Sequence, residues 1–190
     1  GNWVSWGQAC QRLQQDGYTP QQIFEETGFE PIHQNQIVVA MQVFNSVVEV
    51  GVPDGVRSHF EQQGSDTLYE FRILKQVERA AAAQIVLARG IDSEGAHEVA
   101  KAIKDYSRLA KLPDGFAAFE DHPGDAIAYH YWKLARQQSD LQSRSRLIAQ
   151  GLRFAESASA RQKVEALLTD FTVAKTRPAP LLPIYRPDAD

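Results

Sequence analysis

Along this chain apolar residues return at intervals of three and four, and no stretch alternates apolar with polar long enough to build a sheet. The pattern predicts an all-α fold in which a helix-turn-helix-like amino-terminal unit packs on a bundle of longer helices. Thr19-Pro20-Gln21-Gln22 reads as a helix start, with Thr19 as cap, Pro20 in the first helical position and Gln22 placed to close a capping box. That helix stops at Gly28, and a turn through Phe29-Glu30-Pro31 leads into a longer one from about Ile32 to Val50. Ile37, Ala40, Met41, Phe44, Val47 and Val48 fall at helical spacing there. Val38, Val39 and Val43 extend the apolar character nearly all round, so this helix is expected at the centre. A short helix through Val56 and Phe60 runs to Gly64.

Beyond Gly64 the spacing predicts the longest helix of the chain, capped by Ser65-Asp66-Thr67 and ending near Gly90. Its apolar side is Leu68, Phe71, Leu74, Val77, Ala81, Ile85 and Ala88. Four consecutive alanines, Ala80 to Ala83, allow a neighbouring helix to come close. Asp92 opens the next helix, with Ala96, Val99, Ile103 and Tyr106 inward. A loop from Leu112 to Gly124 follows, then three helices over about 125–138, 140–158 and 159–174, the last carrying Val164, Leu167, Leu168 and Phe171. Four prolines within 178–187 cannot donate backbone hydrogen bonds in a helix, so 175–190 reads as an extended linker. The expected organisation is thus 1–64, 65–174 and the linker, with regular helix from about Ser5 to Ala174. No repeat of fixed period interrupts it.

The 190 residues hold 20 Lys and Arg against 24 Asp and Glu, a formal charge of −4, which disfavours general attraction to nucleic acid. Charge is unevenly placed: residues 1–64 carry two bases and seven acids, and residues 133–163 carry seven bases and two acids. A mean hydropathy of −0.38 and the lack of any apolar run near 18 residues argue against a membrane. A single cysteine, Cys10, permits no internal disulfide and reads as a buried, inert thiol. The first residues resemble neither a secretory signal nor a transit peptide, which points to the cytoplasm.

Catalytic chemistry finds little support. There is no Gly-x-Ser-x-Gly nucleophile turn and no phosphate-binding loop, so no enzyme activity and no cofactor are expected. The nearest approach to a metal cluster is His122, Asp125 and His130, whose spacing is not that of a metal site; no metal is expected. Gln34, Asn35 and Gln36, at the start of the second helix of the pair, are residue types able to read adenine, which leaves a helix-turn-helix transcription regulator as the alternative. Few cations are available there to neutralise phosphate.

The strongest functional signal is on the helix after Gly124. Ile127, Tyr131 and Leu134 share one face, while Tyr129, Trp132, Lys133 and Arg136 stand at i, i+3, i+4 and i+7 on the other. If the first set is core, the second is an exposed aromatic and cationic stripe, the composition of a binding hot spot, and Arg144, Arg146 and Arg153 on the next helix extend it. The competing reading buries Trp132 beneath a neighbour and leaves the cations as a solvated rim.

Several strings, in order, resemble one family: Ile23-Phe24-Glu25-Glu26-Thr27-Gly28-Phe29-Glu30-Pro31, Gly64-Ser65-Asp66-Thr67-Leu68-Tyr69-Glu70, and the run from Leu112-Pro113-Asp114-Gly115-Phe116 to His122-Pro123-Gly124-Asp125-Ala126. Tyr131-Trp132-Lys133-Leu134-Ala135-Arg136-Gln137, Asp140-Leu141-Gln142-Ser143-Arg144-Ser145-Arg146 and Pro178-Ala179-Pro180-Leu181-Leu182-Pro183 continue it. The chain thereby resembles the Rubisco accumulation factor family of assembly chaperones over essentially its whole length. The resemblance implies a helical amino-terminal domain that a proline-rich linker joins to a β-rich dimerising domain absent from this chain. It also implies binding of Rubisco large-subunit dimers, without ATP, until the octameric core has formed and small subunits arrive. This chain alone is then expected to be a monomer, with the full-length protein a homodimer. The lack of a transit sequence favours a cyanobacterial, cytoplasmic form, carboxysome association being a further expectation, and the plastid stroma the location of a plant form.

Overall fold

The computed structural model describes residues 2–176; the proline-rich segment lies outside them from residue 177 onward. The helices are α1 (Trp3–Gln15), α2 (Pro20–Thr27), α3 (Pro31–Val50), α4 (Asp54–Gln62), α5 (Ser65–Glu70), α6 (Gln76–Ala88), α7 (Ser93–Ser107), α8 (Gly124–Gln137), α9 (Leu141–Phe154) and α10 (Ala158–Thr176). Among the described residues there is no strand.

At the amino terminus the local signals act as expected. Thr19 Oγ1 accepts the Gln22 amide at 3.1 Å while Gln22 Oε1 accepts the Thr19 amide at 2.8 Å, so two donors at the start of α2 are satisfied reciprocally. Gly28 ends α2 in the left-handed region, at φ 79°. α3 is the central element: it buries Val38, Ala40, Met41, Val43, Phe44 and Val47 and packs on α1, α5 and α6. α1 sits unusually close to it, because a Cβ at Gly7 would lie 2.9 Å from Met41 Cβ. Cys10 is buried on the same helix, and burial pushes its thiol pKa up. Trp3 Nε1 donates to the Phe60 carbonyl at 2.7 Å and ties α1 to α4.

The single long helix expected from Ser65 to Gly90 is not continuous. α5 ends at Glu70, Phe71–Ile73 form a 3-10 turn, and Leu74 and Lys75 are extended, with ψ of 159° and 161°, before α6 begins. The break lets Phe71 and Leu74 both enter the core, and side chains satisfy the backbone groups that it exposes. Glu78 Oε1 accepts the Lys75 amide at 2.9 Å. Arg79 donates from Nε to the Phe71 carbonyl at 3.1 Å, from Nη2 to the Arg72 carbonyl at 2.9 Å and from Nη1 to Ser46 Oγ at 2.9 Å. The interruption shifts the phase of the buried face: Val77, expected inside, is 63 % exposed, and Ala82, Ala83 and Val86 are buried instead.

In the carboxyl half α8 and α9 form an antiparallel hairpin, and α10 packs against both. Asp92 caps α7 by accepting the Gly95 amide at 2.8 Å. Ala126, Ile127, Ala128 and Ala135 of α8 meet Ile148 and Phe154 of α9 and Ala160, Val164 and Leu167 of α10 in one core that continues to Val4. Leu168, assigned to the buried stripe of α10, is 46 % exposed, and the Phe171 side chain lies outside the described residues. Replacing Arg79 by Met keeps the aliphatic stem and removes the guanidinium from two carbonyls and a hydroxyl. The variant is expected to lose about 2 kcal/mol of stability; chemical denaturation with an unchanged m-value checks this.

Candidate partner-binding site

The face of α8 that carries Tyr129, Trp132, Lys133 and Arg136 is roofed in part by the segment between α7 and α8. That segment lays Phe116, itself buried, against Tyr129 at 5.1 Å and against Trp132 at 5.6 Å between ring centroids. Tyr129 also stacks on Trp132 at 5.8 Å and meets Tyr106 edge-on at 5.8 Å. The stripe is therefore not the open surface expected from α8 taken alone. Tyr129, Trp132 and Lys133 are half-buried and Arg136 is exposed, because a loop that carries no helical period supplies a covering ring. Nor is Trp132 sealed, as the competing reading would have it.

Cations lie over these rings. Lys133 Nζ is 5.0 Å from the Tyr129 centroid, the Arg136 guanidinium carbon 4.6 Å from Trp132, and Lys163 Nζ, from α10, 5.8 Å from Trp132. Lys163 also donates to Asp114 Oδ2 at 3.2 Å, so α10 and the loop close the ledge together. Sequence reasoning did not single out Lys163; its one signal was membership of the basic stretch 133–163, immediately before the buried Val164. On the opposite face Ile127 is buried, Tyr131 stacks on Phe154 with centroids 6.0 Å apart, and Leu134 is half-buried.

The arginines of α9 do not extend the ledge as a set. Residues two apart on a helix point about 200° from one another, so Arg144 and Arg146 cannot share a face. Arg144 is half-buried, with Nη1 3.5 Å from the Gln138 carbonyl, whereas Arg146 is exposed beside Asp140, Gln142 and Ser145. Arg153 turns the other way: its guanidinium donates to the Arg89 carbonyl, and Arg89 Nε donates to the Arg153 carbonyl at 3.0 Å.

What holds the covering loop is Asp125, fully buried in the first turn of α8. Its Oδ2 accepts the Ala117 amide at 3.0 Å and the Ser157 hydroxyl at 2.6 Å, and its Oδ1 accepts the Glu156 and Ser157 amides at 2.9 and 3.0 Å. Burial by itself would raise this carboxyl pKa; the hydrogen bonds from Ser157, Ala117 and Glu156 outweigh it and hold the group below the ordinary aspartate range. Next to it, a Cβ at Gly124 would lie 2.2 Å from the Phe154 carbonyl oxygen, so only glycine lets α8 start this close to the end of α9. Tyr106 donates its hydroxyl to the Ala117 carbonyl at 2.6 Å, and burial, with Asp125 and Tyr129 adding to it, pushes its pKa up to about 12.

Comparison with known proteins gives this arrangement its context. A family model described as the Rubisco accumulation factor 1 alpha helical domain matches residues 60–168, and one described as the Rubisco accumulation factor 1 helix turn helix domain matches residues 1–48. The chain belongs to the Rubisco accumulation factor 1 family. It is 55% identical over 190 residues to the RuBisCO accumulation factor 1 of a Nostoc species, covering 100% of this chain and 52% of that protein. With the Synechococcus elongatus protein of the same name it shares 51% over 186 residues, which is 98% of this chain and 51% of that protein. With the Rubisco accumulation factor 1.2, chloroplastic, of Arabidopsis thaliana it shares 34% over 169 residues, 87% of this chain and 37% of that protein. The chain thus spans about half the length of its cyanobacterial relatives.

Of the three polar residues at the start of α3, Gln34 is withdrawn from solvent, Gln36 is half-buried and Asn35 is exposed. Gln34 is fully buried, and its Nε2 donates to the Pro20 carbonyl at 3.0 Å and to the Phe29 carbonyl at 2.5 Å, so it clamps the α2–α3 turn instead of facing outward. His122, Asp125 and His130 are likewise kept apart by their own partners. Asp125 is committed to its four donors, His122 lies 3.8 Å from Glu156, and His130 is buried 3.5 Å from Glu98. Among the described residues no three such groups converge on a metal-sized site, and no helix is long and apolar enough to cross a membrane.

The depressed Asp125 carboxyl stabilises the fold above the unfolded aspartate range, near pH 4, and this contribution fades as pH falls through the lower folded value. Asp125→Asn removes the charge and turns an amide toward donors. It is expected to cost about 3 kcal/mol at neutral pH, roughly 6–12 °C in Tm. Melting curves of both proteins from pH 7 to pH 3 check this: the gap should narrow on acidification.

Proposed function

We propose that this chain is the helical part of an ATP-independent assembly chaperone that binds Rubisco large-subunit dimers and stabilises them while the octameric core forms, before small subunits bind. The ledge of α8 carries the reading: two half-buried aromatic rings with Lys133, Arg136 and Lys163 over their faces are a preorganised surface for an apolar and acidic patch on a partner. Family membership and the names of the relatives support Rubisco as that partner. Lack of a phosphate-binding motif agrees with work done by binding energy alone. Arg146 and Arg144 stand on α9 beyond the ledge and contribute at its margin or through the α8–α9 turn. The reading places the protein in the cytoplasm of a cyanobacterium, without catalysis. It also makes residues 1–190 alone a monomer, with dimerisation left to a further domain of the full-length protein.

The decisive experiment reverses Lys133 and Arg136 to Glu together. Loss of charge complementarity at a desolvated contact costs about 2–5 kcal/mol of binding, whereas the two ring contacts contribute about 0.5–1 kcal/mol each to the fold. Binding of purified large subunit should therefore fall at least tenfold while the melting temperature drops by only a few degrees. Unchanged binding at moderate salt removes the ledge from the interface.

A further inference from the structure

The amino-terminal unit presents a second surface, of opposite charge. Between Arg12 and Arg57 the sequence has no Lys or Arg and six carboxylates, Asp16, Glu25, Glu26, Glu30, Glu49 and Asp54. All six are exposed, and none takes part in the ion pairs formed among the described residues. Three of them, Glu25, Glu26 and Glu30, flank the α2–α3 turn. At that turn large apolar groups face solvent: Ile32 is 71 % exposed and Trp6 47 %, with the Trp6 ring 5.2 Å from that of Phe29.

This patch is built rather than incidental. The Gln34 clamp on the Pro20 and Phe29 carbonyls, with Thr27 Oγ1 accepting the Phe29 amide at 3.2 Å, fixes the backbone of the turn that carries Phe29 and Ile32, which lowers the ordering cost on binding. A small apolar centre with a polar rim is the anatomy of a protein interface. Here the rim has a single sign, which selects a cationic partner and repels an acidic one. The Trp6 face adds a surface on which a guanidinium or ammonium group can lie.

We propose that Trp6, Phe29 and Ile32, rimmed by Glu25, Glu26 and Glu30, dock a segment of the Rubisco large subunit in which Lys or Arg flanks an apolar side chain; the identity of the partner rests on the reading above, the chemistry of the segment on this patch. With the cationic ledge on α8, the chain then meets its client through two surfaces of opposite charge. Such a pair fixes orientation, because turning the client around would set like charges against each other.

Two variants and a cross-link test this. Glu25→Lys with Glu26→Lys and Glu30→Lys reverses the rim, and Ile32→Ser removes the most exposed apolar group; neither touches the core. Each is expected to weaken large-subunit binding about tenfold with an unchanged melting temperature, the rim variant losing its defect as salt is raised. A benzophenone amino acid at position 32 should cross-link, by mass spectrometry of the digest, to a large-subunit peptide containing Lys or Arg. Binding like the parent in both variants, while Lys133→Glu with Arg136→Glu binds weakly, overturns the patch and leaves the client assignment standing. A cross-link to a peptide without Lys or Arg overturns the cationic partner chemistry. Failure of the unaltered chain to bind large subunit overturns the client assignment and the proposal together.

Discussion

Asp125 is the group on which the carboxyl half of the molecule depends. A carboxylate taken wholly out of water is costly unless its lone pairs are satisfied, and this one accepts four hydrogen bonds from two separate pieces of chain. It thereby joins the segment before α8, the start of α8 and the α9–α10 junction at one point. The same junction is where α8 approaches the end of α9 closely enough to require Gly124, and where the Arg89 and Arg153 guanidinium groups each donate to the other's carbonyl across to the end of α6. Electrostatics and close packing act on the same few residues.

From that point the geometry of the α8 ledge follows. With Ala117 held by Asp125 and its carbonyl taken by Tyr106, the neighbouring Phe116 has one place to go, against Tyr129 and Trp132. The rings are then fixed by their contact with Phe116, and the cations of α8 and α10 lie over their faces. A surface made in this way loses little conformational entropy when a partner arrives, which favours tight binding from a small area. The amino-terminal turn uses the same device with another residue: buried Gln34 holds the α2–α3 corner and leaves Phe29 and Ile32 at its outer edge. In both cases a buried polar side chain, Asp125 accepting and Gln34 donating, bonds to backbone groups and sets the position of outward apolar groups.

The distribution of charge gives these two surfaces opposite signs. The amino-terminal unit is rich in unpaired carboxylates, and the stretch from α8 to α10 is rich in bases. The net charge of −4 conceals this division. Under the proposed function the division supplies orientation without needing a large buried area.

Helical class, the capping box of α2, the central place of α3, the buried Cys10 and the family were all determined by the sequence itself, because each rests on local spacing or on strings of residues in order. The stripe of α8 was legible for the same reason: positions at i, i+3, i+4 and i+7 share a face in any helix. Its exposure was not, since the covering ring comes from a loop with no period and the third cation from another helix. The break between α5 and α6 was equally hidden. Residues 65–90 have good helical spacing throughout, and that spacing does not show what makes an interruption less costly than continuity: burial of Phe71 and Leu74, Glu78 on the Lys75 amide, and the Arg79 guanidinium reaching back to Phe71, Arg72 and Ser46. Asp125 reads in sequence as one acid at a helix start. Its four donors, separated from it by up to 32 residues, come together only in the tertiary structure, where a buried charge must find its partners across the chain.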